Sequence, residues 1–361
     1  MTGSCVTTNA TAIRSALAAG DIRRVLAIRA SRLGDLLMTT PALHGFAQTW
    51  PYCEIDFLTN RYSEDFLGGN TDIHKVHAFD GTERDLLGRK AKAIRSKLAG
   101  RYSMILALRP RHLLTRLAEI LEIPYLFPDS SAGVGDASQH VIQHGFDRLR
   151  PLGIKGEPGP MRLNISEQEE SSVVAGLPHN GKPLVLLHPG CDETLRFQLR
   201  RNGKSRLWPT ACWVELIDKL QKHLGAEVVV SSGNRIESIW VDKIRAACTQ
   251  APRHFSGLPG REFCRLIHCV DLVITIDTGP LHVACATGTP LIALYGPSPR
   301  RFTGPWGENT LAIQKDLECS PCQGQSIRCT RNICMEQILP SEVLQAAQQL
   351  VYKSRKRLPN Y

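Results

Sequence analysis

Apolar residues along this chain fall into short runs, each followed by a segment whose hydrophobic spacing fits a helix. RRVLAIRA (23–30) reads as a first strand. The Leu and Met positions of the following SRLGDLLMTTPALHGFAQTWP predict a helix. EIDFLTN (54–60) and YSMILALRP (102–110) read as further strands. A second series starts with PLVLLHPG (183–190), continues through a basic loop into a helix at PTACWVELIDKLQKHLG, and reaches a strand at AEVVVSSG (226–233). It runs on through a helix near 237–248, strand RHFSG, helix REFCRLIHCV, and strands DLVITID and PLIALYGP (290–297). Alternation of this kind predicts parallel sheets with helices on both faces.

Between the two series lies 151–183, rich in Pro, Gly and acids, where a domain boundary is expected. A chain of 361 residues also exceeds one ordinary core. The expectation is therefore two similar-sized open α/β domains, 1–175 and 176–361, facing one another across a cleft. In open parallel sheets ligands bind beyond the carboxyl ends of the strands. That rule directs attention to Asp35, to His188–Gly190, to Gly233–Glu237 and to Asp277–His282.

Composition adds limits. Hydrophobic residues make up 42% and charged residues 22%, as in soluble globular chains, and no apolar run is long enough to span a bilayer. The first thirty residues hold only the short SALAAG patch, broken by Asp21, so a cytosolic location is expected. A net charge of +10 suits anionic partners: nucleic acid, a membrane face or phosphorylated substrates. Part of the excess is local, at Arg196, Arg200, Arg201, Lys204 and Arg206, and in the tail at Lys353, Arg355, Lys356 and Arg357. A basic nucleic-acid-binding protein is the reading from another class, but aromatic content is 6% and no basic-aromatic stripe or helix-turn-helix pattern supports it.

Of twelve cysteines, Cys53, Cys264, Cys269 and Cys285 lie in apolar segments and read as small core side chains. Cys319, Cys322, Cys329 and Cys334 form a C-x2-C-x6-C-x4-C cluster. In a reducing compartment this spacing leaves open a structural metal, zinc or iron, or free and redox-sensitive thiols. GKS (203–205) lacks the earlier glycine of a P-loop, and GVGDAS (133–138) has Ser138 in place of the third glycine of a dinucleotide fingerprint, so both are set aside.

The most informative stretch is IDTGPLHVACATGTP (276–290). Gly279 is expected to relax the turn, Pro280 suits the first helical position, and Asp277 or Thr278 can cap. The amides of such a first turn make an anion site. Capping without a ligand uses the same residues. Ala284, Cys285, Ala286 and Gly288 are expected to let the helix lie close on its strands. Asp35, following the first strand, reads either as a helix cap or as a base taking a proton from a hydroxyl.

SRLGDLLMTTPAL, HPG, RLWPTACWVEL, SSGNRIE and VDLVITIDTGPLHVACATGTPLIALYGPSPRRFTGPWG, in that order over nearly the whole chain, resemble glycosyltransferase family 9, the ADP-heptose:lipopolysaccharide heptosyltransferases. The resemblance implies a glycosyltransferase-B architecture of two Rossmann-like domains, with acceptor on the N-terminal half and nucleotide-sugar on the C-terminal half. It implies inversion at the anomeric carbon without a required cofactor. Carried over by motif, Asp35 matches the general base. Arg206 stands where the family usually has Lys at the donor phosphate, Glu237 matches the acid accepting ribose hydroxyls, and Leu258 falls where backbone borders adenine. Asp277 matches the carboxylate near the sugar hydroxyls, and Thr278, Gly279 and His282 the phosphate-side contacts. The implied partners are ADP-heptose and a lipopolysaccharide core acceptor, met in peripheral contact with the inner membrane, with no nucleic acid. A protein acceptor or another nucleotide-sugar is the alternative, since the cysteine cluster resembles that of a protein-heptosylating subgroup.

Overall fold

The computed structural model describes residues 6–109, 111–128, 139–165, 172–178, 180–191, 194, 206–322 and 331–355. It divides into two compact units, Met1–Asn164 and Ile165–Tyr361. The sequence expectation of a break at 175 and 176 differs from this because the short helix Ser172–Ala175 buries Val173 and packs on the helix Gly260–His268. It thereby belongs to the second unit. The two decoy motifs and the basic run 196–204 lie outside the described residues.

The first unit is a five-stranded parallel sheet in the order β3-β2-β1-β4-β5. Its strands are β1 (Arg24–Ile28), β2 (Glu54–Asn60), β3 (Lys75–Phe79), β4 (Met104–Ala107) and β5 (Tyr125–Phe127). Val25 of β1 sits between Ile55 of β2 and Met104 of β4. Helices cover the sheet, among them Ala10–Ala19, which is capped by Asn9 and buries Ile13 and Leu17. The segment read as one helix after β1 is two, Leu33–Leu37 and Thr40–Thr49. Two hydroxyls explain the break: Thr39 and Thr40 donate to the Leu36 and Leu37 carbonyls at 2.6 and 2.7 Å, and Pro41 has no N–H to continue the ladder.

The second unit is a six-stranded parallel sheet, β11-β10-β9-β6-β7-β8. Its strands are β6 (Leu184–His188), β7 (Glu227–Ser232), β8 (Arg253–Ser256), β9 (Leu272–Ile276), β10 (Leu291–Tyr295) and β11 (Thr310–Gln314). β6, β9 and β10 are buried along their whole length, which is why they read as unbroken apolar runs. Under the sheet, Trp208 and Trp213 pack edge to face at 4.9 Å, and the long helix Pro340–Arg355 lies on Thr210–His223. Trp208 Nε1 donates to the Ile338 carbonyl at 3.0 Å and Asn332 Nδ2 to the Leu207 carbonyl at 3.0 Å. The chain just beyond Arg206 is thus fixed from the C-terminal side.

In both units the strand order reverses beside the first strand, between β1 and β4 and between β6 and β9. Ligand crevices of doubly wound sheets open at such switch points.

Candidate functional site

At the switch point of the second unit, β9 leads into the helix Gly279–Thr287. Thr278 is its N-cap, yet no side chain makes a capping hydrogen bond there. Capping alone therefore does not account for the motif. Gly279 is the first residue of the right-handed helix and needs no unusual backbone angle, contrary to the sequence expectation. What it supplies is the missing Cβ: an ordinary residue before proline is pushed out of the helical region, and Gly279 precedes Pro280 within the helix. Gly288 likewise does not pack; it ends the helix in the left-handed region at φ 73°. Ala284 and Cys285 are buried as expected, and His282 is buried beside them.

Arg206 reaches this turn from the far side of the sequence. Its Nη1 donates to the Asp277 carbonyl at 2.7 Å and lies 3.6 Å from Asp277 Oδ2. Tyr295, at the end of β10, donates to the Thr303 carbonyl at 2.8 Å and also contacts Asp277. Burial first, and then the Asp277 charge, hold the Tyr295 hydroxyl well above its ordinary pKa. One turn of chain thus carries a helix amino terminus, a guanidinium and a carboxylate, an arrangement suited to an anionic group with hydroxyls attached.

Beyond β6 and β7 lies a second cluster. Glu237, 4% exposed, accepts the Gly233 amide at 2.7 Å and Asn234 Nδ2 at 2.8 Å. Asn234 in turn caps the helix Arg235–Ala247 by accepting from the Ile236 and Glu237 amides. His188 Nε2 is 3.8 Å from Glu237 Oε2, and its Nδ1 is 2.9 Å from Ser231 Oγ. Burial, reinforced by His254, lowers the His188 pKa to about 4. Thr275 donates to the His188 carbonyl at 2.9 Å, which ties the ends of β6 and β9 together. Leu258 is half-buried after the end of β8, next to Gly257 at φ 61°. Arg206, Glu237, Leu258, Asp277, Thr278, Gly279 and His282 therefore all lie at or beyond the carboxyl edge of one sheet or on the helix it feeds.

In the first unit, Asp35 lies in the first turn of Leu33–Leu37 and makes no capping bond; the N-cap is Arg32. Its side chain is 42% exposed and its Oδ1 is 3.5 Å from Arg29 Nη2. Arg29 is only 8% exposed, and burial lowers its pKa. The buried Glu83 balances the positive charge: it accepts the Ala30 amide at 3.3 Å and Arg111 Nε at 2.6 Å. Sequence reasoning missed Arg29, Glu83 and Tyr295, and pointed to His188 only as the end of a strand. Their roles depend on neighbours far away along the chain, and only the end-of-strand rule, which flagged His188 by position, offered a signal.

Of the cysteine cluster, Cys319 is exposed, Cys322 half-buried and Cys334 buried, while Cys329 lies outside the described residues. Cys334 Sγ faces Asn332 Oδ1 at 3.9 Å, and among the described residues no three His, Cys, Asp or Glu side chains are grouped as metal ligands. Cys53, Cys264 and Cys285 are buried as expected; Cys269 is exposed at the end of Gly260–His268. No helix among the described residues is long and apolar enough to cross a membrane.

Comparison with known proteins bears directly on this site. The family model for glycosyltransferase family 9 (heptosyltransferase) matches residues 126–331, more than half of the chain. Lipopolysaccharide heptosyltransferase 3 of Escherichia coli K12 is 24% identical over 301 residues, covering 77% of this chain and 84% of that protein. Among solved structures, E. coli ADP-heptose lps heptosyltransferase II superposes with a TM-score of 0.71 at 21% identity, over 92% of this chain and 99% of that one. E. coli heptosyltransferase WaaC with ADP-2-deoxy-2-fluoro heptose superposes with a TM-score of 0.64 at 18% identity, over 90% and 99%.

Proposed function

We propose, from the premise that this chain belongs to glycosyltransferase family 9 and is a glycosyltransferase, that it moves heptose from ADP-heptose to a lipopolysaccharide inner-core hydroxyl with inversion. The observation that carries the reading is the turn at Asp277–Gly279: a helix amino terminus without a side-chain cap, with the Arg206 guanidinium beside it. A leaving nucleoside diphosphate accumulates negative charge, and preorganised amides and a cation stabilise that charge as it forms. The dipole of one helix end contributes only about 0.3–2 kcal/mol, so the guanidinium and the amides act together. A solved relative holding an ADP-heptose analogue supports the donor assignment.

In this reading Asp35 takes the proton of the acceptor hydroxyl while the hydroxyl oxygen bonds to the anomeric carbon. The bond from that carbon to the phosphate oxygen breaks, and its electron pair leaves with ADP. Asp277 orients the sugar hydroxyls. Glu237 holds the loop beneath the nucleotide, since its oxygens already serve Gly233 and Asn234. The lipid-linked acceptor brings the enzyme to the cytosolic face of a membrane as a peripheral protein, and the cysteine cluster, where it binds a metal, does so for structure.

A panel of nucleotide-sugars with a heptose acceptor tests the donor. Asp35→Ala should lower transfer by about 10²–10⁴ and leave ADP affinity within a factor of two or so of the parent. Equal loss of ADP binding and transfer would overturn the base assignment.

A further inference from the structure

The connection from β3 to β4 is the most basic described stretch of the chain. Residues 84–101 carry seven basic side chains against one acid, Asp85. The segment is built to face two ways. Leu86, Ala91 and Leu98 turn inward to the core, and Arg95 Nη1 donates to the Leu86 and Gly88 carbonyls, which locks the turn Glu83–Leu87 onto the helix Lys92–Leu98. Arg84, Arg89, Lys90, Lys92, Lys97 and Arg101 are left exposed, and none has a carboxylate within ion-pair distance among the described residues. Elsewhere on this unit some exposed arginines do find partners, Arg61 with Asp80 and Arg116 with Glu119.

Two further features separate this surface from a merely solvated one. The turn carries an outward Leu87, 37% exposed, and the neighbouring strand β2 ends in a helix presenting Tyr62, 70% exposed. Both follow the carboxyl ends of adjacent strands, on the edge where Asp35 lies. Glu83, next to Arg84, is itself bonded to Ala30 just after β1. Unpaired cations flanking an apolar tip match the electrostatics of an anionic bilayer surface. The stretch contains no aromatic residue, so it lacks the stacking groups with which basic surfaces hold single-stranded nucleic acid.

We propose that this crossover, with Leu87 at its tip, docks the first unit onto an anionic phospholipid surface and so presents Asp35 to an acceptor embedded there. The proposal rests on the reading of the acceptor as membrane-linked. The full-length protein is sedimented with vesicles of equimolar phosphatidylglycerol and phosphatidylcholine, and with phosphatidylcholine vesicles alone. The parent should sediment only with the anionic vesicles, and less as salt rises. Reversing Arg84, Arg89, Lys90 and Lys92 to Glu should weaken partition by ~100-fold or more, at several-fold per charge. ADP affinity and transfer to a de-acylated, soluble acceptor should match the parent. A second set, the same positions to Gln, with an unchanged melting temperature, should show an intermediate loss and guards against misfolding. Sedimentation of the variants like the parent, equal binding to uncharged vesicles, or retention by DNA but not by vesicles would each overturn the docking surface. Failure of the parent to use ADP-heptose in solution counts against the proposed reaction instead, because the vesicle readout does not depend on turnover.

Discussion

Gly190 and Glu237 have the helix Thr210–His223 and β7 between them in the chain, yet a Cβ on Gly190 would lie 2.7 Å from Glu237 Cγ and Cδ and 2.8 Å from Oε2. Ordinary contacts at such a position begin near 3.4 Å. Gly190→Ala therefore forces a buried carboxylate to move by several tenths of an ångström, and that carboxylate is held by the Gly233 amide and Asn234 Nδ2. Overpacking of this kind costs about 1–3 kcal/mol. Losing one charge-assisted bond of the pair adds about 1.5–3 kcal/mol if the carboxylate swings away. The combined strain falls on the loop Gly233–Asn234 that starts the helix Arg235–Ala247, so both the melting temperature and ADP affinity should drop, the latter by ~10-fold or more. Calorimetric titration with ADP and thermal denaturation read the two effects. A double-mutant cycle isolates the cause: in the Glu237→Ala background the clashing atoms are gone, and Gly190→Ala should then cost less than about 0.5 kcal/mol. An equal cost in both backgrounds would falsify the contact argument.

Two other predictions follow from the same unit. Tyr295→Phe leaves the Thr303 carbonyl without its donor and loosens the Asp277 carboxylate, so it should cost about 1–3 kcal/mol and raise the KM for the donor more than it lowers kcat; a change in kcat alone would contradict the positioning role. His188 is held at about pKa 4 when folded, below the unfolded value near 6.5, so the unfolded chain binds the extra proton between those limits and stability rises with pH across that window. Denaturant unfolding followed from pH 7 to pH 4 should show a loss of about 3 kcal/mol that is absent in His188→Gln; an identical acid loss in the variant would reject the assignment.

How much of this was legible beforehand follows from where each residue is buried. β1, β2, β4, β6, β7, β9 and β10 are flanked on both sides and covered by helices, so their sequences are apolar runs that stand out. β3, KVHAF, is an edge strand, mostly half-exposed, and spends one position on His77, which bonds to the buried Asp56 and to Tyr102. β5 has three residues, and β11, a half-exposed edge of the second sheet, has only the short apolar run LAI, so both are too brief to stand out. Chain position alone led to Asp35, Glu237 and the Asp277 turn, because the end-of-strand rule depends on order and not on contacts. Arg29 read as the tail of a strand. Its meaning comes from Asp35 and from Glu83, which folding brings from another crossover.

The two units use the same device, a carboxylate and a guanidinium at a helix start, but Asp35 sits inside the first turn while Asp277 precedes it. In the proposed reaction the chemistry falls on the turn after β1 in the first unit and on the turns after β6, β7 and β9 in the second. In the first unit the helix start holds the chain's own carboxylate, Asp35, countered by Arg29. In the second, the helix start at Gly279 has no side-chain cap and the guanidinium of Arg206 lies beside it. A diphosphate therefore gains amides and a cation in the second unit, and in the first it meets a carboxylate. Amide hydrogen exchange with and without ADP separates the two: protection should rise at 206–208 and 277–284 and stay unchanged at 29–38. Protection by ADP alone around Asp35, with none at the Asp277 turn, would assign the nucleotide to the wrong half and remove the basis for calling Asp35 the base.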